Sequence, residues 1–173
     1  MPGLVTDEHR ALIGKKGEPV TGWEVIERGA LRRFVQAIMD SDPIYWDEEY
    51  ARNTRYGGVV TPPLFPGFTN RRRSGTPDPL ARFKEDPEWD GASPPPPGSS
   101  FTREPEPGAL PPLTLPLQRL LNGGVTAEFF AYAKPGDRIT AQRQYAAIEE
   151  RTGRDGSDMV IVVQETEYRN QDG

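Results

Sequence analysis

Fifteen of the nineteen prolines in this 173-residue chain lie between Pro62 and Pro116. Proline fixes φ and has no N–H to give to a helix or a ladder, so this stretch cannot be an inner strand or a helix interior. It reads as a long loop or lid, a class that in compact domains is functional or disordered. It holds Arg71-Arg72-Arg73, the run Pro94-Pro95-Pro96-Pro97 and Leu110-Pro111-Pro112-Leu113, with Trp89 and Phe101 available to pin it to the body. About 118 residues remain outside it, enough for one modest core. The expectation is a single domain over 1–173 with a Pro-rich insertion at 62–116.

Charge and reactive residues narrow the function classes. The net charge of −5 argues against a binder of phosphate backbones, because such domains are usually basic. No cysteine is present, which removes disulfides, thiolate chemistry and Cys-based metal sites together. The single histidine, His9, removes His-pair zinc sites, so no metal is expected. No apolar run reaches the ~18–20 residues of a membrane span. The start, Met1-Pro2-Gly3-Leu4 followed by Asp7-Glu8, has neither a basic nor an apolar leader region. A soluble, unexported, cytoplasmic protein is expected.

Periodicity gives a coarse order of elements. Glu8-His9-Arg10-Ala11-Leu12-Ile13 suits a helical turn ended by Gly14 and Gly17, and residues 21–26 suit a short strand with Trp23 and Val25 alternating against Glu24. Leu31, Phe34, Val35 and Ile38 form the i, i+3, i+4, i+7 stripe of a helix, with Arg32, Arg33 and Gln36 off it. Pro43 is expected to end that helix. Asp47-Glu48-Glu49 reads as the acidic first turn of a short helix through Arg52, stopped by Gly57-Gly58. From Asn122 the pattern becomes strand-like. Val125, Ala127, Phe129 and Ala131 alternate with Thr126, Glu128, Phe130 and Tyr132. After the turn Pro135-Gly136-Asp137, Ile139, Ala141, Arg143, Tyr145 and Ala147 continue with period two, and Gly153-Arg154-Asp155-Gly156 turns into the apolar run at residues 159–163. A strand, a long helix and a three-strand antiparallel meander make an α+β arrangement, one helix wrapped by a sheet. Asp172-Gly173 is a hairpin signal with no second arm after it. Either the chain is a piece, or a neighbour completes that edge.

The stretch Asp40-Ser41-Asp42-Pro43-Ile44-Tyr45-Trp46-Asp47-Glu48-Glu49-Tyr50-Ala51 resembles the signature of MaoC-like R-specific enoyl-CoA hydratases and dehydratases, Gly-Asp-x-Asn-Pro-hydrophobic-His-x-Asp-Pro-x-Phe-Ala. Tyr56-Gly57-Gly58-Val59-Val60-Thr61-Pro62-Pro63-Leu64-Phe65, Leu120-Leu121-Asn122-Gly123-Gly124 and Lys134-Pro135-Gly136-Asp137 resemble the N-terminal MaoC-like domain, of the fatty-acid-synthase dehydratase type, in particular. The resemblance spans about residues 13–173 and implies the hot-dog fold, a central helix wrapped by a curved antiparallel sheet. It also implies water addition to an enoyl thioester or its reverse, with a CoA or acyl-carrier thioester as substrate and no cofactor. In such enzymes Asp and His share general acid and base work on one water, while a backbone N–H from a later His-Gly pair polarises the thioester carbonyl.

Carried over residue by residue, Asp40 matches the catalytic Asp, Asp42 the Asn and Pro43 the Pro. Tyr45 falls on the His, and Pro62-Pro63 fall on the His-Gly pair. Pro63 has no N–H to donate, and loss of an oxyanion donor costs ~10²–10³ in rate. A phenol of pKa ~10 is a poor substitute for an imidazole in proton transfer near neutrality. The pattern therefore resembles the non-catalytic half of paired hot-dog hydratases, among them the long-chain (3R)-hydroxyacyl dehydratases and the steroid side-chain enoyl-CoA hydratases. That resemblance implies a heterodimer or heterotetramer with a catalytic MaoC-like subunit, binding acyl-CoA or acyl-carrier protein. Asp42, Tyr45, Gly57, Gly58 and Pro63 are then candidate substrate-binding residues, and Asp40 and Tyr45 are weak catalytic candidates.

Each of these has an ordinary alternative. Asp40 is a turn or capping carboxylate, Tyr45 a packed aromatic with a satisfied hydroxyl, and Gly57-Gly58 a helix stop. His9 reads as a solvated terminal residue. Arg71-Arg72-Arg73 either meets CoA phosphates or an acidic carrier, or is a charged loop in solvent. The Pro-rich stretch is read as a lid or tunnel wall before a polyproline ligand. Two other functions stay open: a homodimeric acyl-thioester binding module, and an autonomous hot-dog thioesterase or hydratase with Asp40 as base.

Overall fold

A computed structural model describes residues 3–69, 80–84, 86–88, 107–117 and 121–173. Arg71, Arg72, Arg73, Trp89, the proline run 94–97, Phe101 and Leu120 lie outside the described residues. The elements run α1 (Asp7–Arg10), β1 (Val20–Thr21), α2 (Arg28–Ala37), a 3-10 turn (Pro43–Tyr45), α3 (Glu48–Arg52), β2 (Thr140–Thr152) and β3 (Asp158–Arg169), with further 3-10 turns at Phe65–Phe68 and Ala81–Lys84. The strands form one sheet in the order β1-β2-β3, with β1 antiparallel to β2 through Val20 opposite Ala141 and Thr21 opposite Thr140. Among the described residues no helix is long and apolar enough to cross a membrane.

The chain divides into two compact units, the first comprising Met1–Glu18, Arg73–Val125 and Arg143–Glu165, the second Pro19–Arg72, Thr126–Gln142 and Thr166–Gly173. In the first unit, the expected turn at residues 153–156 closes the β2–β3 hairpin through Gly153 N–H donating to the Ser157 carbonyl at 2.7 Å. Val5, Tyr145 and Ile148 are buried there, packed by Leu12, Leu110, Leu113, Val160 and Val162. The Leu110-Pro111-Pro112-Leu113 motif is thus a strap: its leucines face the core, and the Pro111 carbonyl, which a polyproline backbone leaves unused, accepts the Tyr145 hydroxyl at 2.9 Å. Gly17 is required by close approach, since a Cβ would run into the Gly108 carbonyl. His9 belongs to the capping box of α1: its Nδ1 accepts from Thr6 N–H at 3.1 Å while the Thr6 hydroxyl accepts from His9 N–H.

The second unit is built on α2. Leu31 and Val35 are buried, with Ile26, Ala51, Val59, Phe65 and Ile139 in the same cluster and Ala30, Phe34, Tyr45 and Ala133 packed against it. Phe34 meets Phe65 edge to face with ring centroids 5.2 Å apart, a favoured aromatic geometry. The turn at Lys134-Pro135-Gly136-Asp137 forms as expected. Gly136 has φ 97, Asp137 N–H donates to the Lys134 carbonyl, and the buried Asp137 carboxylate accepts from Lys134 N–H at 2.9 Å and from Gln171 Nε2 at 3.1 Å. Gln171 Oε1 in turn accepts from Arg138 N–H, which ties the last residues to this turn.

Three expected elements come out differently. The strand at residues 21–26 is regular only over Val20–Thr21. Beyond it Gly22 N–H donates to the Ile139 carbonyl and Ile26 N–H to the Asp137 carbonyl, so four residues on one side span two on the other and the chain bulges. Arg138 Nη1 holds the Gly22 and Trp23 carbonyls, leaving Trp23 and Val25 exposed and Ile26 inside. The strand at residues 125–132 does not form among the described residues. Residues 121–131 are all exposed, and an alternating pattern specifies a strand only where a neighbour supplies a ladder and one face is buried.

The third difference lies at the end of α2. Pro43 does not end the helix; the last helical residue is Ala37, with Ile38 as its cap. Asp40 N–H donates to the Val35 carbonyl and Met39 N–H to the Gln36 carbonyl, both at 3.2 Å, the paired bonds of a Schellman motif. That motif places Met39 at φ 55, the one non-glycine with positive φ among the described residues. Met39 is 87% exposed, so no packing offsets the strain, which for a side-chain-bearing residue is ~1–2 kcal/mol. Met39→Gly should therefore raise the unfolding free energy by about 1 kcal/mol, read as a higher denaturant midpoint; a lower midpoint would show that the methionine is relaxed there.

Candidate functional site

The chain leaving α2 is organised by three aspartates in succession. Asp40 Oδ1 accepts from Asp42 N–H at 3.0 Å, and Asp42 Oδ1 accepts from Ile44 N–H at 3.0 Å, starting the 3-10 turn Pro43–Tyr45. Asp47 Oδ1 caps α3 by accepting from Glu49 and Tyr50 N–H. Short carboxylates satisfy such amides well, which is why this acidic segment turns twice within a few residues. Both Asp40 and Asp42 thus do the turn-forming work of their ordinary reading. Asp40 is half-buried and Asp42 exposed.

These turns place Tyr45 against the α2 core and among polar groups. It is half-buried. Burial pushes its phenol above the ordinary tyrosine range, and Asp40, Tyr132, Asp42 and Tyr56 add to that in decreasing order. The phenol therefore gives up its proton less readily than a free tyrosine. Tyr56 and Tyr132 meet edge to face with ring centroids 5.2 Å apart. Arg55 covers the Tyr56 ring at 4.8 Å and donates to its hydroxyl at 2.6 Å, and Lys134 Nζ donates to the Tyr56 carbonyl. The result is a cluster of three phenols beside Asp40 and Asp42. Of the three, only Tyr45 lies on the loop after α2, and nothing local in the sequence ties Tyr56 to Tyr132.

In the loop that follows, residues 60–63 have no free amide. Val60 N–H donates to the Ile44 carbonyl at 3.4 Å and Thr61 N–H to the Ala133 carbonyl at 2.9 Å, while Pro62 and Pro63 have none. Pro62 is buried and Pro63 half-buried. The Thr61 hydroxyl is fully buried and lacks a partner among the described residues. Gly57 and Gly58 lie open: a Cβ on either meets nothing within 4 Å, and glycine at 57 answers to its φ of 69.

The sequence profile of the FAS1-like, dehydratase domain region matches residues 11–173. The chain belongs to that family. It is 30% identical over 176 residues to a protein of Thermomonospora curvata described as a probable enoyl-CoA hydratase alpha subunit, a match covering 95% of this chain and 46% of that protein. The chain thus spans about half the length of this curated relative. Among solved structures, it superposes on a chain of the ChsH1-ChsH2 complex from Mycobacterium tuberculosis with TM-score 0.57 at 15% identity, covering 91% of this chain and 76% of that one. It also superposes on a MaoC-like dehydratase from Rhodospirillum rubrum with TM-score 0.52 at 18% identity, covering 91% and 82%. These likenesses establish the hot-dog fold.

The turn after α2 carries the Tyr45 phenol, and residues 60–63 carry two imino acids and two engaged amides.

Two measurements follow from this geometry. A raised folded-state pKa means that the stabilisation held by a protonated phenol is complete below about pH 10 and is lost as pH rises through the folded value. Tyr45 and Tyr145, the latter raised by burial alone, both act in this direction. Stability of the wild type should decline above about pH 10, and Tyr45→Phe should flatten that decline; an unchanged profile would remove Tyr45 from the buried cluster. Thr61→Val, which replaces an unpartnered buried hydroxyl by a methyl, should stabilise the fold by about 1 kcal/mol. Destabilisation by that much would mean that the hydroxyl has a partner.

Proposed function

We propose that this chain is the non-catalytic half of a heteromeric enoyl-CoA hydratase or 3-hydroxyacyl-thioester dehydratase, binding and shaping the acyl site while a MaoC-like hot-dog partner supplies the Asp/His pair and the oxyanion amide. Membership of the dehydratase-region family and the likeness to a hydratase alpha subunit support a hydratase or dehydratase subunit. The observation that carries the division of labour is chemical. Where water activation would need a group titrating near neutrality, the chain presents Tyr45, whose pKa is driven further from neutrality. Where the carbonyl would need a free N–H, residues 60–63 offer none.

In this reading the substrate is a CoA or acyl-carrier thioester and no cofactor takes part. The Tyr45 hydroxyl donates to an oxygen of the bound substrate, Asp42 lies beside it, and the open backbone at Gly57 and Gly58 admits a slender pantetheine-like arm. Pro63 forms part of the wall. Asp40, occupied in its turn, positions Tyr45 and does not move a proton.

Hydration of a trans-2-enoyl-CoA, followed by loss of absorbance of the conjugated thioester, tests this directly. The isolated chain should turn over at least ~10² more slowly than the same chain mixed with a MaoC-like subunit that carries the Asp-x-x-x-x-His pair and the His-Gly loop. Asp40→Asn should leave the rate of the mixture within a few-fold. Full turnover by the isolated chain, abolished by Asp40→Asn, would overturn the non-catalytic assignment. Release of free CoA from a saturated acyl-CoA would instead identify a thioesterase.

A further inference from the structure

Three glycines among the described residues follow an Asn or Asp, and the fold treats one of them differently. The side chain of Asn or Asp can be attacked by the backbone nitrogen of the next residue, which closes a five-membered succinimide ring. Glycine presents that nitrogen with no Cβ in the way. At Asp155-Gly156 the nitrogen is committed, since Gly156 N–H donates to the Gly153 carbonyl at 3.0 Å. The Asp155 carboxylate is also held in its ionised form, its pKa lowered by the Ser157 hydroxyl and the Ser157 N–H. At Asp172-Gly173 the Gly173 N–H donates to the Asn170 carbonyl. At Asn122-Gly123 no described acceptor takes the Gly123 N–H.

The rest of the geometry at Asn122 favours ring closure. Its Oδ1 accepts from Gly124 N–H at 3.0 Å, so a donor already lies on the oxygen where negative charge develops when Cγ is attacked. Residues 121–124 are exposed, and a Cβ built on Gly123 or Gly124 meets nothing within 4 Å, so water and hydroxide reach the bond. Asn170 forms the same turn, its Oδ1 accepting from Asp172 N–H at 3.1 Å, but Gln171 follows it and brings a Cβ into the path of attack. Asn53 is followed by Thr54, whose N–H donates to the Ala51 carbonyl at 3.2 Å. We infer that Asn122 is a self-modification site. The Gly123 nitrogen gives its proton to hydroxide and bonds to Asn122 Cγ. The Cγ–Nδ2 bond breaks, the leaving nitrogen takes a proton from water and departs as ammonia, and a second water opens the succinimide to aspartate or isoaspartate. The product carries one more carboxylate on a chain of net charge −5. The isoaspartyl form also routes the backbone through the side-chain carbon, at the start of the stretch that leads to Tyr132.

The test incubates the full chain at mildly alkaline pH, folded and in urea. Ammonia release is followed, and peptide mapping by mass spectrometry locates the acid and isoaspartyl products. In the folded chain residue 122 should convert at least ~10-fold faster than Asn53 or Asn170, a barrier lower by about 1.4 kcal/mol. Isoaspartate should form at residue 122 while Asp155 and Asp172 stay unchanged, and those two should join it once urea frees their glycine amides. Gly123→Val, at a position whose φ is not positive, should slow the reaction ~10-fold or more, and Asn122→Gln should abolish it at this position. Neither variant should change the melting temperature, because residues 121–124 are exposed. A rate at residue 122 no faster than at Asn53 and Asn170, or one that rises ~10-fold or more in urea, would overturn the inference, since the fold would then shield the bond. Isoaspartate forming at Asp155 or Asp172 of the folded chain as fast as at residue 122 would overturn it too, because a committed glycine N–H would then give no protection.

Discussion

The bond from Asp40 N–H to the Val35 carbonyl is the joint on which the second unit turns. Upstream of it, α2 carries Leu31, Phe34 and Val35 into the core. Downstream, Asp40 and Asp42 pass the chain from one side-chain-capped turn to the next, Tyr45 sits against that core, and Asp47 caps α3 beyond it. Met39 bears the cost, held in a left-handed conformation that a glycine would take freely. Strain of this kind persists only where the surroundings over-determine the backbone. Here the surroundings are two Schellman bonds behind it and two aspartate-capped turns ahead.

The same joint accounts for the chemistry the site offers. Asp40 accepts the Asp42 N–H within its own turn, and burial raises the Tyr45 phenol above its ordinary range. The proline pair extends the argument to the opposite wall, where the two neighbouring amides are consumed by Ile44 and Ala133. The site combines open glycine backbone at 57 and 58, no free N–H at residues 60–63 and a phenol driven further from neutrality.

Local features were the most legible in the sequence. The α2 stripe, the acidic start of α3, the Pro135-Gly136-Asp137 turn and the hairpin at residues 153–156 all depend on neighbours a few residues away, so composition and period reveal them. The site was legible only where a motif was contiguous. Asp40, Asp42 and Tyr45 lie on one loop, whereas Tyr56 and Tyr132 meet only after the chain has folded. Ile38 shows the opposite failure: it completes the stripe by spacing, yet the helix stops one residue earlier and leaves it exposed.

The division has a physical basis. The chain by itself determines which segments turn, because proline, glycine and aspartate act on the backbone within reach of their own atoms. It likewise determines that no thiol, no second imidazole and no amide at Pro62 or Pro63 is available to any chemistry. Tertiary structure decided the rest. An alternating pattern becomes a strand only when another strand meets its hydrogen bonds, so residues 140–152 pair and residues 125–132 do not. A hydroxyl rises above its ordinary pKa only when burial strips away its water.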